Sequence, residues 1–206
     1  TLTRNRMGLS LWGPGSARQE VKGIAANLRK WNSGSDPSSP SRVFVGSLMD
    51  WAEDHADAER LRPGMWEALR TNDRLIYQLL TKRADRIAGL LPPFWAEIKG
   101  RIWLGVSIES NEYAERADHL RCLDSAVRFV SYEPALGPLD RLDLTGLDWI
   151  IYGGESGPGF RPEDKQWARD MRDRCLAAGV AFFHKQSAAF RTELGIELDG
   201  QIIREY

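Results

Sequence analysis

The sequence predicts an α/β fold built on about six parallel strands, and three observations carry that prediction. Short apolar runs rich in β-branched and aromatic residues begin at positions 43, 75, 102, 127, 149 and 181. Most of them lack the alternation of a half-exposed strand, as strands covered on both faces do. Amphipathic segments of helical period separate most of the runs, which start 22 to 32 residues apart, and this is the footprint of successive βα units with right-handed crossovers.

The first element is a helix over 17–31, where Val21, Ile24, Leu28 and Trp31 make one apolar stripe. Residues 32–40 are small, polar and proline-containing, can bury almost nothing, and read as a surface loop. The runs follow: Val43-Phe44-Val45-Gly46, then 75–80, 102–106, 127–130, 149–152 and 181–183. Helices are predicted over 58–71, 83–91, 111–123 and 165–178, the last followed by Gly179 where a C-cap often sits. The connection 136–148 contains proline and glycine and reads as less than a full helix. A closed eight-unit barrel takes about 250 residues. Six units fit a partial barrel or an open doubly wound sheet, and no Gly-x-Gly-x-x-Gly or Walker-type loop follows the first run.

Composition bounds the function. With 206 residues, 42% hydrophobic and 28% charged, the chain reads as one domain, residues 1–40 forming a head segment and 41–206 the βα units. Lys and Arg number 28 against 29 Asp and Glu, so nucleic acid is not indicated by charge, although a local patch stays possible. Two cysteines, Cys122 and Cys175, exclude a disulfide framework, a four-cysteine zinc site and a self-contained cysteine-ligated iron–sulfur cluster. Both fall in predicted helices beside leucines, where cysteine is usually a small buried hydrophobe. No apolar run approaches the roughly 18 residues of a membrane span. The chain opens at Thr1 with neither an initiator Met nor a signal core, so a cytoplasmic protein that has lost its start, with no membrane partner, is the expectation.

The chemistry is expected just after each run. Run one reaches Ser47 and Asp50, run two ends in Thr81-Lys82-Arg83, and run three in Ser107-Ile108-Glu109-Ser110. Run four ends in Ser131-Tyr132-Glu133-Pro134, run five in Gly153-Gly154-Glu155-Ser156-Gly157, and run six in His184-Lys185-Gln186. Strand C-termini of a parallel α/β fold share one side, so Lys82, Glu109, Glu133, Glu155 and Lys185 would meet at one mouth. Carboxylates facing cations can tune one another's pKa, hold ammonium and hydroxyl groups, or bind a metal, and the residues alone do not choose. The glycines at 153, 154 and 157 would let backbone amides approach a ligand. His55, His119 and His184 have no zinc spacing, and no Gly-x-Ser-x-Gly elbow occurs. Trp12, Trp51 and Trp95 read as packing anchors, with Trp51 also placed to wall the mouth.

Taken in order, the strand ends resemble the phage-associated family of radical S-adenosylmethionine-like proteins, with Leu198-Asp199-Gly200 and Glu205 resembling its tail. The resemblance implies a partial (β/α) barrel of the radical-SAM type, S-adenosylmethionine and a [4Fe-4S] cluster as cofactors, and a cysteine-rich loop after an additional first strand. No cysteine precedes Val43, so the cluster ligands would be absent from this chain, and a first strand and cluster loop missing from its start are the expectation. The implied cofactor-binding residues are Glu109, Glu133, Gly153, Gly154, Glu155 and Ser156, with Glu155 holding the methionyl ammonium or ribose hydroxyls. The implied substrate-binding residues are Asp50, Lys82, Arg83, Lys185 and Gln186, the two lysines taking a carboxylate or phosphate. Nucleic-acid modification or repair is the reaction class such a setting suggests. Two other functions fit the same ends: a non-catalytic module binding a nucleotide or a partner, and a metal-dependent hydrolase using the three glutamates.

Overall fold

The computed structural model describes residues 15–46 and 49–206. Its main sheet consists of β1 (Ser41–Val45), β2 (Leu75–Thr81), β3 (Ile102–Ser107), β4 (Val127–Tyr132), β5 (Trp149–Gly153) and β6 (Ala181–Gln186). All pairings are parallel and the spatial order is the sequence order. Each apolar run is therefore a strand. A doubly wound sheet reverses its strand order at a switch point. Among the described residues this sheet has no such reversal, and it curls into a half-barrel of six strands.

Alternation along the strands separates two faces. Tyr77 and Leu79 of β2, Leu104 and Val106 of β3, Val130 and Tyr132 of β4 and Ile150 and Tyr152 of β5 form one core with helix residues such as Trp66, Leu120 and Met171. The intervening residues Trp103, Phe129, Trp149 and Ile151 form a second, smaller cluster with Leu80 and Phe183. Helices cover the first face, so the second is the concave one. Phe129 lies over Gly105 on β3, where a Cβ would come within 2.2 Å of its ring.

The helices depart from sequence expectation where local breakers override the stripe. α1 (Ile24–Gly34) begins seven residues later than periodicity suggests, because Gly23 adopts a left-handed φ of 80° and Val21 is left exposed. α2 (Ala56–Thr71) starts at His55, whose Nδ1 accepts from the Asp57 amide, with Asp57 and Glu59 in the first turn. Over 83–91 a 3-10 turn, Ala84–Arg86, runs into α3 (Ile87–Leu90), and Pro92 and Pro93 prevent a longer helix. α4 (Trp95–Ile98) and a 3-10 turn, Lys99–Arg101, lead into β3. The predicted helix over 111–123 is a 3-10 turn, Asn111–Tyr113, followed by α5 (Arg116–Arg121). α6 (Lys165–Ala178) has the predicted bounds, with Asp164 as N-cap and Gly179 at φ 69° as C-cap.

Between β4 and β5 no helix forms. Instead Leu139, Leu142, Leu144 and Leu147 are buried, and Arg174 of α6 donates to the Leu139 and Leu142 carbonyls. The chain ends with a small hairpin, β7 (Glu197–Leu198) and β8 (Gln201–Ile202), turning at Asp199 and Gly200, both with positive φ. Beyond it the chain runs antiparallel to β6: the His184 amide donates to the Ile203 carbonyl at 2.8 Å and the Glu205 amide to the Phe182 carbonyl at 3.2 Å. The ring of Tyr206 packs against Trp103 and Trp149, closing the lower end of the concave face.

Candidate functional site

The concave face is built in rows set by strand register. Phe44, Gln78, Trp103 and Val127 are consecutive register partners across β1 to β4, and Leu80, Gly105, Phe129 and Trp149 form the next row up. Ser107 and Ser131 then lie side by side, with Ile151 beyond. Two residues further along the same strands stand Glu109 and Glu133. The face thus runs from an aromatic floor, through two adjacent hydroxyls, to a carboxylate pair at the mouth.

Each carboxylate meets its own lysine. The Lys82 ammonium is paired with Glu109 Oε1, and Arg116 Nη1 reaches Glu109 Oε2 at 3.1 Å while also donating to the Ser107 carbonyl at 2.7 Å. Lys185 Nζ donates to both Glu133 oxygens, at 2.7 and 2.9 Å. The carboxylates lie beneath their cations: the Glu109 side chain is 8% exposed against 55% for Lys82, and Glu133 is 24% against 42% for Lys185. Gly153 makes room for this, since a Cβ there would stand 3.0 Å from Glu133 Cδ. Lys82, Arg116 and Lys185 carry three positive charges against two on Glu109 and Glu133, so the block is positive by one in a chain whose net charge is −1. An anion arriving from solvent meets the ammonium groups first.

The other sequence-derived residues are placed differently. Asp50 fastens the loop after β1 to the end of β2, accepting from the Thr81 hydroxyl, the Ala52 and Lys82 amides and Arg83 Nη1. Glu155 turns to Arg161, which donates to it from Nε, Nη2 and its own amide, and these bonds hold the carboxyl at about 2, well below its ordinary 4.5. Gly154 is bound into the backbone between β5 and β6, where a Cβ would stand 2.1 Å from the Ala188 nitrogen. Gln186 is 1% exposed and spends its amide on the Gly154 carbonyl and the Glu193 amide. Ser156 pairs with Ala189 in a β-bridge. The structure brings Lys82, Glu109, Glu133 and Lys185 to one block, and gives Asp50, Arg83, Glu155, Gly154, Ser156 and Gln186 separate partners. Ser47 lies outside the described residues, as does Trp12.

Among the described residues, no three His, Cys, Asp or Glu side chains are grouped so as to hold a metal ion. Trp51 is an anchor and does not wall the mouth: it is 1% exposed and stacks edge-on against Trp66 on the helix side. Cys122 is exposed, contrary to expectation, because its helix ends at Arg121 and leaves it at the C-cap. Cys175 is buried, and desolvation pushes its thiol up to about 12.

Sequence reasoning placed Ser107 and Ser131 among the strand ends without a role of their own, and passed over Gln78. Gln78, Ser107 and Ser131 are 8%, 5% and 4% exposed, and none of their side chains has a hydrogen-bond partner among the described residues. Their signal was present as a repeated Val-Ser-x-Glu at 106–109 and 130–133, and as a lone glutamine inside an otherwise apolar strand. Arg116, which braces Glu109, carried no signal of its own.

A protein-family profile matches residues 5–206, and its description is a protein of unknown function, DUF5131. The chain belongs to the DUF5131 family. No curated protein and no solved structure matches it. Membership corrects the resemblance to phage-associated radical S-adenosylmethionine-like proteins: the matching family has no assigned function and gives no indication of radical chemistry, a phage setting or an iron–sulfur cluster. The physical reason is that six βα units in sequential order place small, polar and charged strand ends at one mouth in any half-barrel. The S-adenosylmethionine and [4Fe-4S] cofactors rested on that resemblance alone. Among the described residues of this DUF5131 chain, no helix is long and apolar enough to cross a membrane.

Proposed function

We propose that this DUF5131 chain is a nucleotide-binding module whose ligand enters the mouth of the half-barrel. The observation that carries this reading is the net positive block in which Lys82 and Lys185 flank Glu109 and Glu133 above Ser107 and Ser131. Exposed ammonium groups take a phosphate, and carboxylates take ribose hydroxyls as donors. The serine hydroxyls supply further donors and acceptors below the carboxylates. A small ligand suits the charge pattern better than a polynucleotide, because the positive block is local and the chain as a whole carries −1.

The test is thermal unfolding and calorimetric titration of the whole chain with adenosine, guanosine, cytidine and uridine 5′-monophosphates, at low and high salt. Ligand at 100 times its Kd is expected to add about 2.7 kcal/mol of stability. Lys82→Ala combined with Lys185→Ala should weaken binding by tenfold or more, since two charge-assisted contacts are lost. Raised salt should weaken it too. If none of the four nucleotides shifts the unfolding transition or gives a binding isotherm, the reading fails.

A further inference from the structure

The segment that follows β6 borders the mouth and is fastened by one buried histidine. The Gly195 carbonyl accepts from the Ser187 amide at 2.9 Å and lies 3.1 Å from His184 Nε2, so residues 187–195 form a loop shut at its base. Gly195 has a positive φ of 62° there, and a Cβ on it would stand 2.7 Å from Ser187 Cβ. The chain then returns along β6, where the Ile203 carbonyl accepts from the His184 amide and the Glu205 amide donates to Phe182. A ring nitrogen that bonds a carbonyl carries the proton, so Nε2 donates to Gly195 and the neutral ring keeps a lone pair on Nδ1. Nδ1 is fully buried with no partner among the described residues, and His184 as a whole is 1% exposed. The ionisable groups around the ring offer a second proton no acceptor. Tyr152 on β5 stacks on the ring and is kept neutral by burial. Glu163, ahead of α6, already accepts from the Tyr152 hydroxyl and the Ala188 amide, and Lys165 at the start of α6 opposes a cation. Glu205 on the returning tail accepts from the Phe182 amide, while Lys185 and Arg204 are engaged by Glu133 and the Phe183 ring. Burial outweighs the pull of Glu163 and holds the ring below its ordinary 6.5.

We infer that His184 is an acid-operated latch, whose protonation at Nδ1 releases Gly195 and frees residues 187–205 from β6. A charged ring would bury both its charge and an N–H without an acceptor, so it leaves for water and gives up the Gly195 carbonyl as it goes. The open segment takes up this proton at the ordinary value of about 6.5, and the closed one only below it. Closure is therefore complete above about pH 6.5 and is lost as pH falls. Lys185, the next residue along β6, carries the effect to the mouth. The inference stands apart from the nucleotide reading.

Amide exchange of the whole chain, followed from about pH 7.5 to about pH 5 and corrected for the intrinsic rate, tests the latch. The amides of His184, Ser187 and Glu205 bond across the closure, and should open about tenfold more often for each pH unit below about 6.5. They should open more often than those of β3 throughout. His184→Gln keeps an N–H donor for Gly195 and cannot be protonated, so its openings should not change over this range. A proton NMR titration of the folded wild-type chain needs no variant, and should find the His184 ring still neutral where an ordinary imidazole, at about 6.5, is half charged. Segment openings that ignore pH, a slope that survives in His184→Gln, a His184 ring that titrates near its ordinary value in the folded chain, or amides that exchange only together with β3 would each overturn the latch.

Discussion

The two faces of the half-barrel come from the same strands and differ in how their polar side chains are bonded. On the helix side the three strand tyrosines are fully buried and bonded: the Tyr77 hydroxyl donates to the Asn72 carbonyl, Tyr132 to the Gly137 carbonyl and Tyr152 to Glu163 Oε2. Burial pushes all three phenols up, Tyr77 to about 12, so each remains a neutral donor. On the concave side, Gln78 of β2, Ser107 of β3 and Ser131 of β4 have no protein partner among the described residues. Their polar atoms still touch solvent, since the fully buried polar side-chain atoms without a partner among the described residues are Trp51 Nε1, Trp149 Nε1 and His184 Nδ1. On the proposed reading, the helix-side face carries stability and the concave face carries recognition.

The sharpest way to break that division is to truncate neighbouring residues that point opposite ways. Leu104 is 0% exposed within the helix-side core. Leu104→Ala should cost about 2–5 kcal/mol, through lost burial and the cavity left behind. Ser107→Ala, three residues along β3 and on the other face, should change stability by no more than about 0.5 kcal/mol, because no protein hydrogen bond is removed. Denaturant titration with unchanged slope reads both values. Equal losses from the two would mean that the concave face is as structural as the other.

A smaller loss is expected where the faces meet. Gly154 follows β5, and an added Cβ would stand 2.1 Å from the backbone nitrogen of Ala188 and 2.5 Å from Glu163 Oε2. Backbone cannot rotate out of the way as a side-chain tip can, so Gly154→Ala should cost about 1–3 kcal/mol by overpacking. The Gln186 amide that grips the Gly154 carbonyl at 3.1 Å should lose that bond, which amide-proton exchange at residues 186–189 would register. Unchanged stability and exchange would show that the loop after β6 yields easily and does not define the mouth.

How much of this was legible follows from which forces act locally. The strands were readable because apolar runs in a parallel sheet are a property of contiguous sequence. α6 was readable because Asp164 and Gly179 mark its ends. α1 was misplaced because Gly23 is a backbone effect invisible to a hydrophobic stripe. At the mouth, Lys82, Glu109, Glu133 and Lys185 were found as strand ends, but their pairing across strands depends on register, which the sequence does not spell out. Glu155 looked like their equal and is drawn aside by Arg161, six residues later in a loop. Gln78 was overlooked because a polar residue within an apolar run reads as noise until the strand's neighbours are known.

The smallest expected effect tests whether Glu155 stands apart from the mouth. Its carboxyl is held at about 2 by Arg161, below the 4.5 of an unperturbed glutamate. The unfolded chain therefore takes up this proton first as the solution is acidified. The stability the pair contributes is present in full above about pH 4.5, and is lost progressively as pH falls toward about 2. Arg161 is 60% exposed, so solvent screens the pair and the effect is a slight one. Arg161→Ala should return the Glu155 carboxyl toward its ordinary range, as seen by NMR titration, and remove that part of the acid dependence of unfolding. Nucleotide affinity at neutral pH should stay unchanged, since neither residue contacts the Lys82–Glu109 or Lys185–Glu133 pairs. A drop in affinity on Arg161→Ala would extend the binding surface along the loop after β5, and the division between the two faces would then have to include it.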